Sequence, residues 1–359
     1  MTRATVWILP AVFAVYMPTC TPPAVRPTVP PGEARVAELW EAPSDLADRD
    51  LFYGPWGAEH APDPRATYSL VRRKDHGSNP GVTASDPQGR EWHVKQAPHN
   101  HEGAEGPIEV VLSRVLSAVG YHQPPVYFLP TFTLTDEGGT HLAPGGRFRL
   151  HDKSLKNLGT WSWQQNPFVG TYPYQGLLVI LMMFDSSDLK NDNNTLYAVK
   201  TPNGGPDRWY VVRDLGTALG ETGRLAPKRG DPDLFERQVF ISGMKHGFVE
   251  FSYHGWHQEL FTRRITPRDV RWASDLLAGL SDRQWAHAFR AGGYEPAVAA
   301  RFIRRLHQKI AEGRQIGDPS GVDHESRTPG IPRQNTDEDD SQAGWTRHHV
   351  ARVAAQEEG

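Results

Sequence analysis

Cysteine is almost absent from this sequence: Cys20 is the single example in 359 residues. No internal disulfide can form, so a disulfide-stapled scaffold is excluded. Cys20 also lies outside any candidate core, which argues against a cysteine nucleophile. An excess of basic charge is missing too. Lys and Arg number 39 against 42 Asp and Glu, a net charge of −3. Nothing here would hold a nucleic-acid backbone, and nucleic-acid partners are set aside. There is no internal repeat, no Gly-x-Ser-x-Gly elbow and no His-Glu-x-x-His metal signature. What the sequence does have is 38% hydrophobic residues and 11 Trp, enough for a sizeable core. Pro and Gly concentrate in loops and near both ends.

No apolar run is long enough for an ordinary spanning helix. The longest near the start, Val6 to Met17, follows Arg3 and precedes Cys20 and a Pro-rich run from Thr21 to Pro31. A basic start, a short apolar stretch and then polar sequence is the layout of an export signal. A cysteine directly after it resembles a bacterial lipoprotein signal, in which that Cys becomes the lipidated first residue. Cys20 would then anchor the protein to the cell envelope, on the periplasmic side. A plain export signal and a cytoplasmic chain are the alternatives. Residues 21–50 read as a Pro-rich tether, 51–313 as the folded domain, and 314–359, with Asp337-Glu338-Asp339-Asp340, as a disordered tail.

Within the domain the first part is strand-like. Thr67 to Val71 and the alternating Glu91-Trp92-His93-Val94-Lys95 are strands, the second entered through the turn Asp86-Pro87-Gln88-Gly89. Glu105 to Val119 has helical spacing and ends at Gly120. Another extended stretch starts at Pro124. The later part is mostly helical: Tyr174 to Phe184, Pro267 to Leu280, Ser281 to Ala291 opened by a Ser281–Gln284 capping box, and Ala297 to Glu312. Trp209 to Val212 is a buried strand. The expectation is an α+β, two-lobed fold, with a small strand-rich lobe over about 51–150 and a mainly helical one over about 151–313.

Three segments carry chemistry. Lys95, at the end of a strand, suits a role facing phosphates, with a carboxylate on the next helix to hold it; Glu109 is chosen, with Glu105 one turn earlier as the alternative. The buried helix ending at Phe184 empties into Asp185-Ser186-Ser187-Asp188-Leu189-Lys190-Asn191-Asp192-Asn193-Asn194. Such groups are costly to desolvate, which argues for a cleft. Asp188 can accept a proton, Lys190 can steady a transferring group and Asn193 can ligate a hard cation. A calcium loop using Asp188, Asp192 and Asn194 is the competing reading, without the glycine and distal glutamate of an EF-hand. Third, a buried strand runs into Asp214-Leu215-Gly216, delivering a carboxylate at a tight turn.

The order Val94-Lys95, a helix carrying Glu109, Asp188-Leu189-Lys190-x-x-Asn193 and Asp214-Leu215-Gly216 resembles the protein-kinase-like superfamily. The resemblance covers most of Thr67 to Gly220. It implies that Lys95 pairs with nucleotide phosphates and Glu109, that Asp188 is the catalytic base with Lys190 beside it, and that Asn193 and Asp214 bind Mg or Mn with ATP. The chain departs from ordinary protein kinases in three places. No Gly-x-Gly-x-x-Gly precedes Lys95, with only Gly77-Ser78-Asn79-Pro80-Gly81 as a substitute. Ser186-Ser187 stand where His-Arg is usual. No Ala-Pro-Glu follows Asp214. In these respects it is nearer the HipA, lipid-kinase and secretory-pathway kinase groups. The expected function is a phosphotransferase using a metal-bound nucleoside triphosphate, with an unassigned acceptor. The alternative is an inactive kinase-fold binding module on the cell envelope.

Three other features are read more plainly. His93, His99, His101 and Glu102 match no standard zinc spacing and read as surface groups. Gly159 to Phe168, rich in aromatics, reads as loop packing. Arg301, Arg304, Arg305 and Lys309 read as a solvated helix face.

Overall fold

Trp92 and Val94 point one way from their strand and His93 and Lys95 the other, and this alternation sorts the first half of the molecule into a core and a cleft wall. The computed structural model describes residues 32–74, 79–96, 105–200, 206–224 and 228–317. Five strands, β1 (Thr67–Arg73), β2 (Gly81–Ser85), β3 (Glu91–Gln96), β4 (Val126–Asp136) and β5 (Gly139–Leu150), close into a barrel in the order β1-β2-β3-β5-β4. All neighbours are antiparallel except β1 and β4, whose parallel pairing closes the ring. Tyr68, Val82, Ala84, Trp92, Val94, Phe132 and Phe148 fill its interior.

Two helices come early. A single turn, α1 (Glu33–Val36), precedes the barrel, and α2 (Glu105–Ala118) lies between β3 and β4 in sequence. Only three of the 14 residues of α2 escape burial, because it packs on β4 and β5 on one side and on a later helix on the other. Gly120 follows in a left-handed turn at φ 102°.

The second half is built on α3 (Tyr172–Met183), apolar all round and buried along its length. Thr171 caps it, and Pro173 occupies a first-turn position where its missing N–H costs nothing. A three-stranded sheet, β6 (Leu155–Asn157), β7 (Asn194–Val199) and β8 (Arg208–Val212), stands beside it. After α4 (Pro232–Arg237) and the hairpin β9 (Ile241–Lys245) and β10 (Phe248–Phe251) come three helices, the last among the described residues: α5 (Pro267–Ala278), α6 (Asp282–Ala291) and α7 (Pro296–Gln315). Capping boxes open α5 (Thr266 with Asp269) and α6 (Ser281 with Gln284). No helix among the described residues is long and apolar enough to cross a membrane.

The fold is thus mixed α and β, strand-rich then helical, with a closed barrel where the sequence indicated only separate strands. Two boundaries move. The folded part starts upstream of Leu51: Val36, Leu39 and Trp40 are buried in the main core, and Trp40 Nε1 donates to the Val119 carbonyl at 2.7 Å. The last helix runs two residues past Gly313. Cys20, the Pro-rich stretch to Pro31 and the acidic tail lie outside the described residues.

Candidate active site

Lys95 sits near the end of β3, opposite Gly81 of β2 and Arg147 of β5. Its Nζ lies 3.0 Å from Glu105 Oε2, 3.4 Å from Asp214 Oδ1 and 3.8 Å from Glu109 Oε2. Glu105 and Glu109 are one turn apart on α2 and so share a face. Both carboxylates considered in the sequence therefore reach Lys95, but Glu105 stands nearer than the favoured Glu109. The reason is competition: Glu109 Oε1 is 2.9 Å from Arg147 Nε. Glu105 is held in turn by the Asn79 side-chain amide and by Arg229.

The Asp-Leu-Gly turn presses directly on the start of α2. A Cβ placed on Gly216 would come within 2.8 Å of the Glu105 carbonyl oxygen, so glycine is required for this approach. Asp214 itself has φ 52°. Burial pushes its carboxyl up, but the nearby charges of Lys95, Arg213, Arg147 and Arg149 outweigh this and hold it below the usual carboxylate range. Asp185 and Leu219 also have positive φ, at 54° and 55°; Asp185 opens the segment carrying Asp188, and Leu219 follows the Asp214 turn and donates its N–H to the Phe184 carbonyl. Strained non-glycine residues of this kind persist where surrounding structure fixes them, often at functional sites.

The loop bearing Asp188 is fixed from several sides. Ser187 N–H donates to the Thr217 carbonyl at 3.2 Å, and Trp256 N–H donates to the Ser187 carbonyl at 3.0 Å. Asp188 Oδ1 lies 2.9 Å from Lys190 Nζ, and that ammonium stands 5.0 Å from the centre of the Trp256 ring. Asn193 Nδ2 donates to the Asp188 carbonyl at 2.6 Å. The amide nitrogen is thereby used, leaving the amide oxygen as the end suited to ligating a cation. β7 begins at Asn194, which is opposite Val212, and Arg213 N–H donates to the Asn193 carbonyl at 2.8 Å. One short ladder therefore sets Asn193 beside the residue preceding Asp214.

The calcium-loop reading is not assembled. The Asn194 side chain is fully buried and donates to the Trp161 carbonyl, whereas Asp192 is exposed. Among the described residues no group of three or more His, Cys, Asp or Glu side chains is placed to hold a metal. A pair such as Asn193 and Asp214 suits a magnesium-type ion that takes its other oxygens from phosphates and water. His99, His101, Glu102, Gly77 and Ser78 lie outside the described residues.

The aromatic loop does pack: Trp161, Trp163 and Phe168 are buried, and Trp163 N–H donates to Asn191 Oδ1, bracing the segment between Asp188 and Asn193. The solvated-face reading of α7 is corrected at Lys309. That side chain is wholly buried, 3.0 Å from Asp185 Oδ1. Arg301 and Arg304 bind Glu236 instead of standing free.

A cavity of about 580 Å³ opens between the barrel wall and the Asp214 turn. Arg147, Arg149 and Arg213 line it with Lys95 and were missed in the sequence. The signal was available: Arg147-Phe148-Arg149 repeats the alternation of His93-Val94-Lys95, with the apolar residue in the barrel and the polar ones in the cleft. Burial and the neighbouring Arg149, His151, Arg147 and Arg72 push His93 down to about 4, so it is neutral at pH 7.

The sequence matches no family model and no curated protein. Among solved structures it is similar to a Helicobacter pylori proinflammatory kinase, CtkA, over 70% of this chain and 94% of that one, with 10% identity and a TM-score of 0.39. It is also similar to the Golgi casein kinase over 77% of this chain and 74% of that one, with 12% identity and a TM-score of 0.35. At these scores the likeness is one of outline, and the functional reading rests on the geometry of the site.

Proposed function

We propose that this protein is an atypical kinase-like phosphotransferase that moves a phosphoryl group from a metal-bound nucleoside triphosphate such as ATP to an acceptor hydroxyl. One observation carries the reading. A single strand lysine, Lys95, gathers the Glu105 and Glu109 carboxylates of α2 and the Asp214 carboxylate of the Asp-Leu-Gly turn within 3.8 Å. A surface lysine has no need of three carboxylates from two separate segments. A lysine that must present a fixed charge to phosphates does.

In this reading Lys95 turns from Asp214 to the nucleotide phosphates while the α2 carboxylates keep it in place. Asn193 and Asp214 would hold Mg2+ or Mn2+, which when bound neutralises charge on the phosphate oxygens. Asp188 takes the proton from the acceptor hydroxyl as its oxygen bonds to the terminal phosphorus. The bond from that phosphorus to the bridging oxygen breaks, and the nucleoside diphosphate leaves with the electron pair. Lys190, beside Asp188, offers its charge to the transferred group. Catalysis of this kind is mostly positioning and charge stabilisation.

The test is a thermal-shift titration of the full chain with ATP and Mg2+ or Mn2+, on wild type and Asp214→Ala. A ligand specific for the folded state stabilises it by about 2.7 kcal/mol at a hundredfold excess over Kd. A shift that needs both metal and nucleotide and is lost in D214A is expected. No shift in wild type under any of these conditions would overturn the proposal.

A further inference from the structure

The cleft holds more positive charge than a metal-bound triphosphate uses. Arg72, Lys74, Lys95, Arg147, Arg149 and Arg213 line the cavity, and Arg73 is set aside because it pairs with Asp136. Asp214 faces them, with Glu105 and Glu109 behind Lys95. A magnesium-bound nucleoside triphosphate brings about two net negative charges. Six cations against three carboxylates still leave positive charge over.

The surplus has a location. On β3 and β5 the register sets Lys95 against Arg147, and His93 against Arg149. Thr83 of β2 and Arg72 of β1 continue this second row. Two residues along a strand is a displacement of about 7 Å. Arg147 is committed to Glu109, whereas Arg149 has no ion-pair partner among the described residues. Burial first, and then the charges of Arg147 and Arg213, lower the Arg149 guanidinium to about 9. Arg213, from the opposite wall, donates to Thr195 Oγ1 and the Tyr197 hydroxyl, and its Nε is buried with no acceptor. Two half-buried guanidiniums that repel each other, with unused donors and, among the described residues, no carboxylate in ion-pair contact with either, are unfavourable unless an anion completes the site.

We propose that Arg149 and Arg213, with Arg72 and His93 at the rim, form a second anion subsite one row from Lys95 that takes a phosphate group of the acceptor. The proposal deepens the phosphotransferase reading and rests on it for the acceptor's role. The acceptor class is a small molecule already carrying a phosphate group, not a neutral alcohol. Guanidinium forks recognise phosphate oxygens through paired hydrogen bonds, and Val82 and Val94 are the only aliphatic side chains in the lining.

The experiment measures inorganic phosphate binding to the full chain by calorimetry, with and without saturating ATP and Mg2+. Wild type is expected to bind phosphate saturably in both conditions. Arg149→Gln and Arg213→Gln should each weaken phosphate at least roughly tenfold, the cost of one charge-assisted contact. Lys95→Ala should leave phosphate within about threefold while weakening the nucleotide. Arg149→Gln relieves a buried repulsion, so it should melt no lower than wild type, which keeps a folding defect from imitating the result. Phosphate displaced by nucleotide would assign these arginines to the nucleotide's own phosphates and overturn the proposal. Absence of saturable phosphate binding would overturn it as well. Phosphate binding in a protein that ignores nucleotide would support the anion subsite and sink the phosphotransferase reading instead, so the two failures are distinguishable.

Discussion

Removing the Lys309 ammonium should expose how the loop carrying Asp188 is anchored. Lys309 of α7 and Asp185, three residues before Asp188, are 0% and 3% exposed and 3.0 Å apart. The ammonium also donates to the Met183 carbonyl and lies 4.2 Å from the Phe235 ring centre. Breaking a buried pair by deleting one partner costs about 3–5 kcal/mol, since the other charge is left uncompensated. The Lys309→Met variant should therefore lose about that much at about pH 8, where Asp185 has no other buried cation in contact. Burial pushes the Asp185 carboxyl up to about 7, against the opposing pull of Lys309 and the more distant Arg305. Burial likewise lowers Lys309.

A carboxyl raised above its unfolded value favours the folded state when protonated. That contribution is complete below the unfolded value near 3.8 and is lost as pH rises through about 7. Deleting Lys309 raises the carboxyl further, so the deficit of the variant should shrink toward about pH 5.5, to roughly 2 kcal/mol or less. Urea unfolding of wild type, Lys309→Met, Asp185→Asn and the double variant at both pH values makes the measurement. A coupling energy of about 2 kcal/mol or more at the higher pH is expected. Additive losses, or a deficit that does not change with pH, would refute the reasoning.

Four further outcomes are expected. Asp214→Ala should abolish phosphoryl transfer, and Lys95→Ala should cost roughly 10²–10³ in rate, both by turnover assay. Glu105→Gln should weaken nucleotide binding with little loss of stability. Glu109→Gln should weaken nucleotide binding less than Glu105→Gln but cost about 3 kcal/mol or more in urea unfolding, because it strands the buried Arg147 guanidinium; equal behaviour of the two variants would contradict the geometry. Gly216→Ala should displace the start of α2 and cut transfer, since no side chain fits against Glu105; unchanged turnover would show the approach to be dispensable. Trp40→Ala should cost about 3–5 kcal/mol, as expected for a large core side chain, and a loss under about 1 kcal/mol would show the upstream segment to be loosely held.

The elements legible in the sequence were those with a strong local period or cap. The alternation at Glu91 to Lys95, the capping boxes before α5 and α6, and the apolar run of α3 all fall within two or three residues of where they were read. β5 was not legible, because Pro144, Gly145 and Gly146 break any strand pattern. Their place in the barrel depends on contacts with β4 and β3, such as Gly146 against the Lys95 carbonyl, which local sequence does not carry. The candidate site was legible as a set of residue types in order, since Lys95, Asn193 and Asp214 stand at or just beyond the ends of strands. Which carboxylate comes nearest Lys95 was not, because it depends on Arg147 competing from another strand. Lys309 was misread for a related reason. A helix stripe shows which faces are apolar, but not that a lysine on the boundary will be drawn inward by Asp185.

The segment before the barrel gives α2 the position of a strut. At its far end, Trp40 grips the Val119 carbonyl, and Arg49 donates to the carbonyls of Ser117 and Ala118. At its near end stand Glu105 and Glu109, which hold Lys95. Fourteen helical residues make a stiff rod of about 21 Å. The upstream segment and the lysine site are thus joined to opposite ends of one rigid element, so a shift of α2 along its axis would move both.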